Sequence, residues 1–351
     1  NRRTTIMQHV DSAALFHRGD AYIANGMLYE VLNAAYRAGY SRYTAMALLM
    51  GLCTAVTWYA TFVFARWRAG AGYSAAGIAR IALLTMIVNA LWIPVLSPRV
   101  YLGKWGPNVY HNPSHTLVMA FAVPLFIAIG YQLARDREKV RPWVIAAIGV
   151  GLTVSIYAKP TFFIPLAPAT VLYGLMVLGV SRRAVVLLTA LLILPTIYLL
   201  IVQHFAFTLS ASRLTGRTNE IAPFLVWDIH AENVTASLAM TFAFPAVLVG
   251  CAVRGYLFWG HLAYAWMLSL VATVMAALLV EVTGAREVDL SANWFSGYLI
   301  ANHLLFMVSI VEFFRWRVEL GPEGRTRWPY RVCVVLLGWH TISGVVYLTR
   351  M

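Results

Sequence analysis

Ten apolar stretches, each about as long as a bilayer-crossing helix, dominate this sequence and leave few folds open to it. They cover approximately residues 43–65, 75–98, 114–134, 142–158, 160–180, 184–205, 233–253, 260–280, 293–314 and 330–348. A helix needs about 20 mostly apolar residues to cross the hydrocarbon core, because each residue advances it by only about 1.5 Å. Inside lipid the backbone must satisfy its own N–H and C=O groups, so stretches of this kind fold as helices. The expected fold is all-α: a polytopic transmembrane helical bundle forming one integral membrane domain over 1–351. Residues 1–42 would be an outer segment with interfacial helices, and 43–348 the bundle. The fourth stretch runs almost directly into the fifth through Lys159-Pro160, where Pro160 suits a helix start.

Composition supports this class and excludes others. The chain is 60% hydrophobic and only 12% charged, against about 25% charged in soluble domains. Its net charge of +13 comes with no basic amphipathic run and no RNA-binding signature, so nucleic acid is not the expected partner. Loop charges facing anionic lipids or an anionic substrate explain it better. Cys53, Cys251 and Cys333 fall inside apolar runs without metal-ligand spacing and read as small buried residues rather than disulfides.

Loop charge sets the orientation, because lysine and arginine gather on the cytoplasmic side. Alternate loops carry Arg66, Arg68, Arg135, Arg137, Lys139, Arg141, Arg182, Arg183, Arg254, Arg315, Arg317, Arg325, Arg327 and Arg331, fourteen in all. The opposite loops, from residue 99 onward, carry seven. The richer side is read as cytoplasmic, which places the protein in the plasma (inner) membrane with its other loops facing outward. Residue 1 then also lies outside, which implies a further span before it.

Polar chemistry gathers outward. Six of nine histidines and nine of fourteen acids fall in the outer loops. The first outer segment carries Asp11, His17, Arg18 and Asp20, followed by "MLYEVLNAAYRAGYSRY", in which Leu28, Val31, Leu32 and Ala35 recur at helical spacing. That is the pattern of a helix lying in the membrane interface. Asp11 on its own is equally well a solvated loop carboxylate. The next outer loop contains "KWGPNVYHNPSHT", with Lys104, Asn108, His111, Asn112 and His115. Asn112-Pro113-Ser114 would cap and start a helix. Lys104, His111 and His115 could bind an anion beside that helix N-terminus. His111 and His115 at i, i+4 could instead ligate a metal, although the motif lacks HExxH and any carboxylate, and no metal or other cofactor is expected.

Lys159 at the outer boundary either snorkels or faces a lipid phosphate. "EVTGAREVDLSANW" holds Glu281 and Arg286, which could simply pair, before Asn293. His303 and His340 stand alone inside spans, either as interhelical hydrogen-bonding groups or as proton relays.

The order of these features resembles the GT-C superfamily, membrane glycosyltransferases that use polyprenyl-phosphate sugars. "VDSAALFH" followed by "NGMLYEVLNAAYRAGYSRYTAMALL" is similar to that family's first outer loop with its essential acid, here Asp11, or Asp20 in its place. "YAKPTFFIPLAPA" is similar to the Lys-Pro segment of many members, while "GPNVYHNPSHT" and "EVTGAREVDLSANW" look like motifs of bacterial multi-span proteins of this group. The family's first span, which should precede Asp11, is not in this sequence. The resemblance implies an inverting transfer of a sugar to an acceptor hydroxyl on a glycan, lipid or protein. Asp11 would act as general base. His17, Arg18, Lys104, Asn108, His111, Asn112, His115, Lys159, Glu281, Arg286 and Asn293 would bind the substrates. The expected partners are thus the polyprenyl-phosphate sugar, the acceptor and membrane lipids. A small-molecule or lipid transporter, and a lipid-linked glycan ligase or polymerase, are the competing readings.

Overall fold

The structure, a computed structural model, describes residues 5–17, 26–96, 106–109, 112–134, 141–209, 218–252, 260–282 and 293–350. Among these residues the fold is predominantly α-helical. In chain order the helices are α1 (Thr5–His17), α2 (Met27–Arg37), α3 (Arg42–Ala69), α4 (Ala75–Ile87), α5 (Pro113–Ala134), α6 (Pro142–Ala158), α7 (Phe163–Leu178) and α8 (Arg182–Leu209). There follow β1 (Thr218–Ile221), α9 (Leu225–His230), α10 (Val234–Ala252), α11 (His261–Leu278), β2 (Leu279–Val282), α12 (Asn293–Glu319) and α13 (Trp328–Arg350). β1 and β2 pair as a two-stranded ribbon, which the apolar pattern does not announce.

Every one of the ten apolar stretches carries a helix. Six of these helices (α3, α5, α8, α11, α12 and α13) are long and apolar enough to cross a membrane, while α4, α6, α7 and α10 are apolar but shorter. The protein is therefore membrane-embedded. Local chemistry sets several boundaries. The Ser74 hydroxyl accepts from the Gly77 amide to cap α4. Pro142 opens α6, where its missing N–H costs nothing. α7 begins at Phe163, after a turn over 160–162, rather than at Pro160 itself.

The chain divides into two compact units. The first comprises Asn1–Thr57, Val109–Glu220 and Glu281–Asp289, and the second Trp58–Asn108, Ile221–Val280 and Leu290–Met351. In the first unit α6 packs between α5 and α8, and α1 lies on α2 and α5. α2 buries Leu28, Leu32 and Asn33 while Glu30, Tyr36 and Arg37 are exposed. Val31, expected on its apolar stripe, is 38% exposed. The polar Asn33 takes its place: its amide donates to the Ala13 carbonyl at 3.0 Å and accepts from Arg42 at 3.1 Å, docking α2 onto α1 and the start of α3.

In the second unit α12 is the core. Every residue from Phe295 to Phe313 is buried, as expected of a helix that is apolar all round. Near its end lies Glu312, 2% exposed, whose Oε1 accepts from Arg68 at 2.8 Å and whose Oε2 lies 2.7 Å from Arg315 Nε. A buried carboxylate is tolerated only when paired in this way.

The second apolar stretch departs from expectation. Residues 75–98 do not form one span: α4 stops at Ile87 after 13 residues, about 20 Å, short of a hydrocarbon core of about 30 Å. Residues 88–93 are non-helical, and several of their backbone groups pair with other elements of the same unit. The Asn89 amide donates to the His340 carbonyl at 3.1 Å, and His340 Nδ1 lies 2.6 Å from the Asn89 carbonyl. The Leu91 amide reaches Met240, the Trp92 amide the Ser343 hydroxyl, and Trp339 Nε1 donates to the Trp92 carbonyl. Irregular backbone inside a membrane protein survives only when it is paired like this. Gly344 and Gly106 make the approach possible: a Cβ on Gly344 would lie 1.7 Å from the Ile87 carbonyl oxygen, and one on Gly106 would lie 1.4 Å from Asn89 Oδ1.

Candidate functional site

The site is best built from α5, whose first residues come from the histidine- and asparagine-rich loop. Asn112 caps the helix: its Oδ1 accepts from the His115 amide at 3.3 Å and from the Ser114 hydroxyl at 2.8 Å. Pro113 occupies the first helical position. A helix begun in this way keeps further N–H groups at its end, together with the positive pole of its dipole. His115 is buried one turn in.

Lys159 approaches this end from α6. It terminates that helix in extended conformation, its amide donating to the Ser155 carbonyl, and its Nζ reaches 3.5 Å from the Ser114 hydroxyl. The side chain is partly buried. Burial is the larger influence on it and lowers its pKa to about 8, while the nearby Glu281 carboxylate on β2 acts in the opposite sense. At neutral pH Lys159 is thus still mostly a cation, held in a poorly hydrated place.

His9 on α1 completes the group. Its Nδ1 lies 2.9 Å from the Tyr29 hydroxyl of α2, with the two ring centroids 5.8 Å apart. Burial first, and the Lys159 charge second, hold its pKa below the usual histidine value, while burial raises that of Tyr29. His9 is therefore a neutral imidazole at pH 7. His9, Tyr29, Ser114, Lys159 and Glu281 all belong to the first unit.

Of the residues singled out in the sequence, Lys159, Glu281, Asn112 and His115 meet in this neighbourhood. Asp11 is on α1 with an exposed side chain. Asn108 is used otherwise, in the second unit: its Nδ2 donates to the Thr85 carbonyl at 3.1 Å and to that of Val88, and its Oδ1 faces His303 Nδ1 at 2.8 Å. The first two bonds orient the amide, so His303 Nδ1 must carry the proton. His303 and His340 thus act as hydrogen-bonding groups, but their partners Asn108 and Asn89 lie in non-helical segments rather than on a second helix. Arg18, Asp20, Lys104, His111 and Arg286 lie outside the described residues, as do the side chains of His17 and Asn293. Among the described residues no three His, Cys, Asp or Glu side chains are placed to hold a metal ion.

The chain matches no family model, no curated protein and no solved structure. His9 and Tyr29 escape a motif-led search because each is a lone polar group on an amphipathic helix. They are 20 residues apart, on two different helices, α1 and α2.

Proposed function

We propose that the protein is a GT-C-type glycosyltransferase that moves a sugar from a polyprenyl-phosphate donor to an acceptor hydroxyl, with inversion, at the outer face of the plasma membrane. The observation that carries this reading is the partly buried Lys159 set against the Asn112-capped start of α5. Such a cation beside a helix N-terminus suits a phosphate at the bilayer edge. The donor phosphate is a monoanion that leaves as a dianion, so a cation there helps the transition state more than the ground state. Asp11 and Asp20 are the carboxylates of the segment that the GT-C resemblance makes the base. The acceptor is a glycan, lipid or protein hydroxyl.

The test is transfer of radiolabelled sugar by the purified protein in lipid nanodiscs, offered in parallel on polyprenyl phosphate and polyprenyl diphosphate. Transfer from the monophosphate that falls about 10²–10³-fold in Lys159→Met supports the reading. Transfer only from the diphosphate would make the protein a ligase or polymerase. A second reading, transport, is favoured by one feature, the break in α4, since interrupted helices line many transporter sites. Solute flux in proteoliposomes without any transfer would decide for it.

A further inference from the structure

We propose that the ends of α3 and α12 and the start of α13, all in the second unit, form a docking surface for an anionic phospholipid headgroup. Segments 66–73 and 312–331 hold seven arginines against three glutamates, a net charge of +4, with no lysine or aspartate. Contacts within the unit gather them at one end of it. Arg68 pairs with Glu312 at 2.7 Å, and the Tyr73 hydroxyl donates to the Phe314 carbonyl at 3.1 Å. The turn after α3 approaches α12 so closely that a Cβ on Gly72 would overlap the Val318 side chain. Arg325 Nε donates to the Arg317 carbonyl at 3.1 Å, and the Tyr330 ring stacks on Phe313 with centroids 5.4 Å apart. The connection from α12 to α13, which includes the one-turn helix Gly321–Gly324, is thereby folded back onto the end of α12.

The arginines divide by what they touch. Arg68 and Arg315 are neutralised by the buried Glu312, and Arg315 also lies 3.7 Å from Glu319. Arg66, Arg317, Arg325, Arg327 and Arg331 form no ion pair among the described residues. Arg66, Arg327 and Arg331 are exposed, and Arg317 and Arg325 half-buried. Arg327 and Arg331 flank the first turn of α13, which holds no acidic residue. That is the unfavourable end of a helix for a cation, so α13 itself does nothing to balance them.

Depth selects the partner. α3 and α12 are both long enough to cross a membrane, so their ends lie at its boundary. Trp67 on the last turn of α3 is 50% exposed, and Trp328 at the start of α13 is 71% exposed. Tryptophan rings collect at the level of the headgroups. Arg66 adjoins the first ring in sequence, and Arg325, Arg327 and Arg331 lie within three residues of the second. A guanidinium fork matches a phosphate in two hydrogen bonds. An anionic lipid brings that phosphate to this depth on chains already in the bilayer, whereas a soluble acidic partner would leave the two tryptophans without a role. The surface serves whichever reaction the protein performs.

The test titrates the delipidated full chain in detergent with phosphatidylglycerol or phosphatidylcholine, counting bound lipids by native mass spectrometry. Each arginine at an anionic lipid surface is worth about fivefold in affinity. Arg325→Gln/Arg327→Gln should therefore lose about 10–30-fold for phosphatidylglycerol and nothing for phosphatidylcholine. Arg141 and Arg182, exposed at the starts of α6 and α8 in the first unit, are the control. Arg141→Gln/Arg182→Gln should bind like the wild type. Arg68→Gln should instead lower the melting temperature equally with either lipid, because it breaks the Glu312 pair. If Arg325→Gln/Arg327→Gln does not fold, Arg327→Gln/Arg331→Gln, both at exposed positions, should show the same loss. Equal binding of the two lipids by the wild type overturns the proposal. So does a loss in Arg141→Gln/Arg182→Gln as large as that in the paired variants, which would make the effect one of overall charge. Displacement of phosphatidylglycerol by soluble glycerol phosphate also overturns it, since the surface would then take a free anion.

Discussion

His340 holds Asn89 from two sides: its carbonyl accepts from the Asn89 amide at 3.1 Å, and its Nδ1 bonds the Asn89 carbonyl at 2.6 Å. One residue of α13 thereby closes both hydrogen-bonding ends of the residue where α4 has unwound. Replacing the imidazole leaves a buried carbonyl without its donor, which costs about 1–3 kcal/mol. His340→Leu should therefore melt at a clearly lower temperature than wild type in detergent, while His340→Gln, which keeps an N–H, should lie between them. Equal melting of His340→Leu and wild type would remove the break from the account of stability.

Two glycines of α13 test the same contact by sterics. A Cβ on Gly344 meets the Ile87 carbonyl oxygen at 1.7 Å, whereas one on Gly338 meets nothing within 4 Å. Gly344→Ala should destabilise by about 1–3 kcal/mol or unfold the segment. Gly338→Ala, in the same helix, should be neutral or stabilising by about 0.5–1 kcal/mol, because it removes backbone freedom without a clash. Thermal melts of the two variants give the comparison directly.

These interactions show where sequence reasoning reaches and where it stops. The ends of α3, α5, α6 and α11 lie close to the limits of their apolar stretches, because lipid burial and end capping are encoded locally. The break at Ile87 is not local. Residues 88–93 are apolar apart from Asn89, and the groups that stabilise their unwound backbone come from residues 240, 340 and 343. Asn108 is a similar case: it falls within a motif that reads as a binding loop, yet its amide bonds carbonyls of α4 and His303. Lys159 was legible as a cation at the bilayer edge. Its meeting with Ser114, 45 residues earlier, was not, since it depends on how α6 packs on α5.

Lys159 makes anion binding depend on pH. Its pKa is lowered to about 8 by burial, so the cation is present below that pH and lost as pH rises through it. Binding of polyprenyl phosphate should be strong at neutral pH and decline across roughly pH 7–9, as the Lys159 cation is lost. Lys159→Arg, which stays charged, should flatten the decline. Isothermal titration at several pH values reads this out, and a wild-type affinity unchanged between neutral and strongly alkaline pH would detach Lys159 from the anion.

Sidedness gives the last test, and two independent features determine its outcome. Within the second unit, the pairing of Arg68 with Glu312 places the end of α3 level with the end of α12. Ala71 and Thr326, both exposed just beyond those ends, must therefore lie on the same side of the membrane, whatever that side is. The excess of lysine and arginine in the loops following these helices predicts that it is the cytoplasmic one. Asn219 on β1, exposed in the loop region before α10, should lie opposite. Single cysteines at these positions, in a background lacking Cys53, Cys251 and Cys333, can be challenged with a membrane-impermeant maleimide on intact cells. Asn219→Cys should react at once, and Ala71→Cys and Thr326→Cys only after permeabilisation. If Ala71→Cys and Thr326→Cys differ from each other, the Arg68–Glu312 pairing is wrong. If both react while Asn219→Cys does not, the pairing stands but the orientation is inverted, and the Lys159 cluster would then face the cytoplasm.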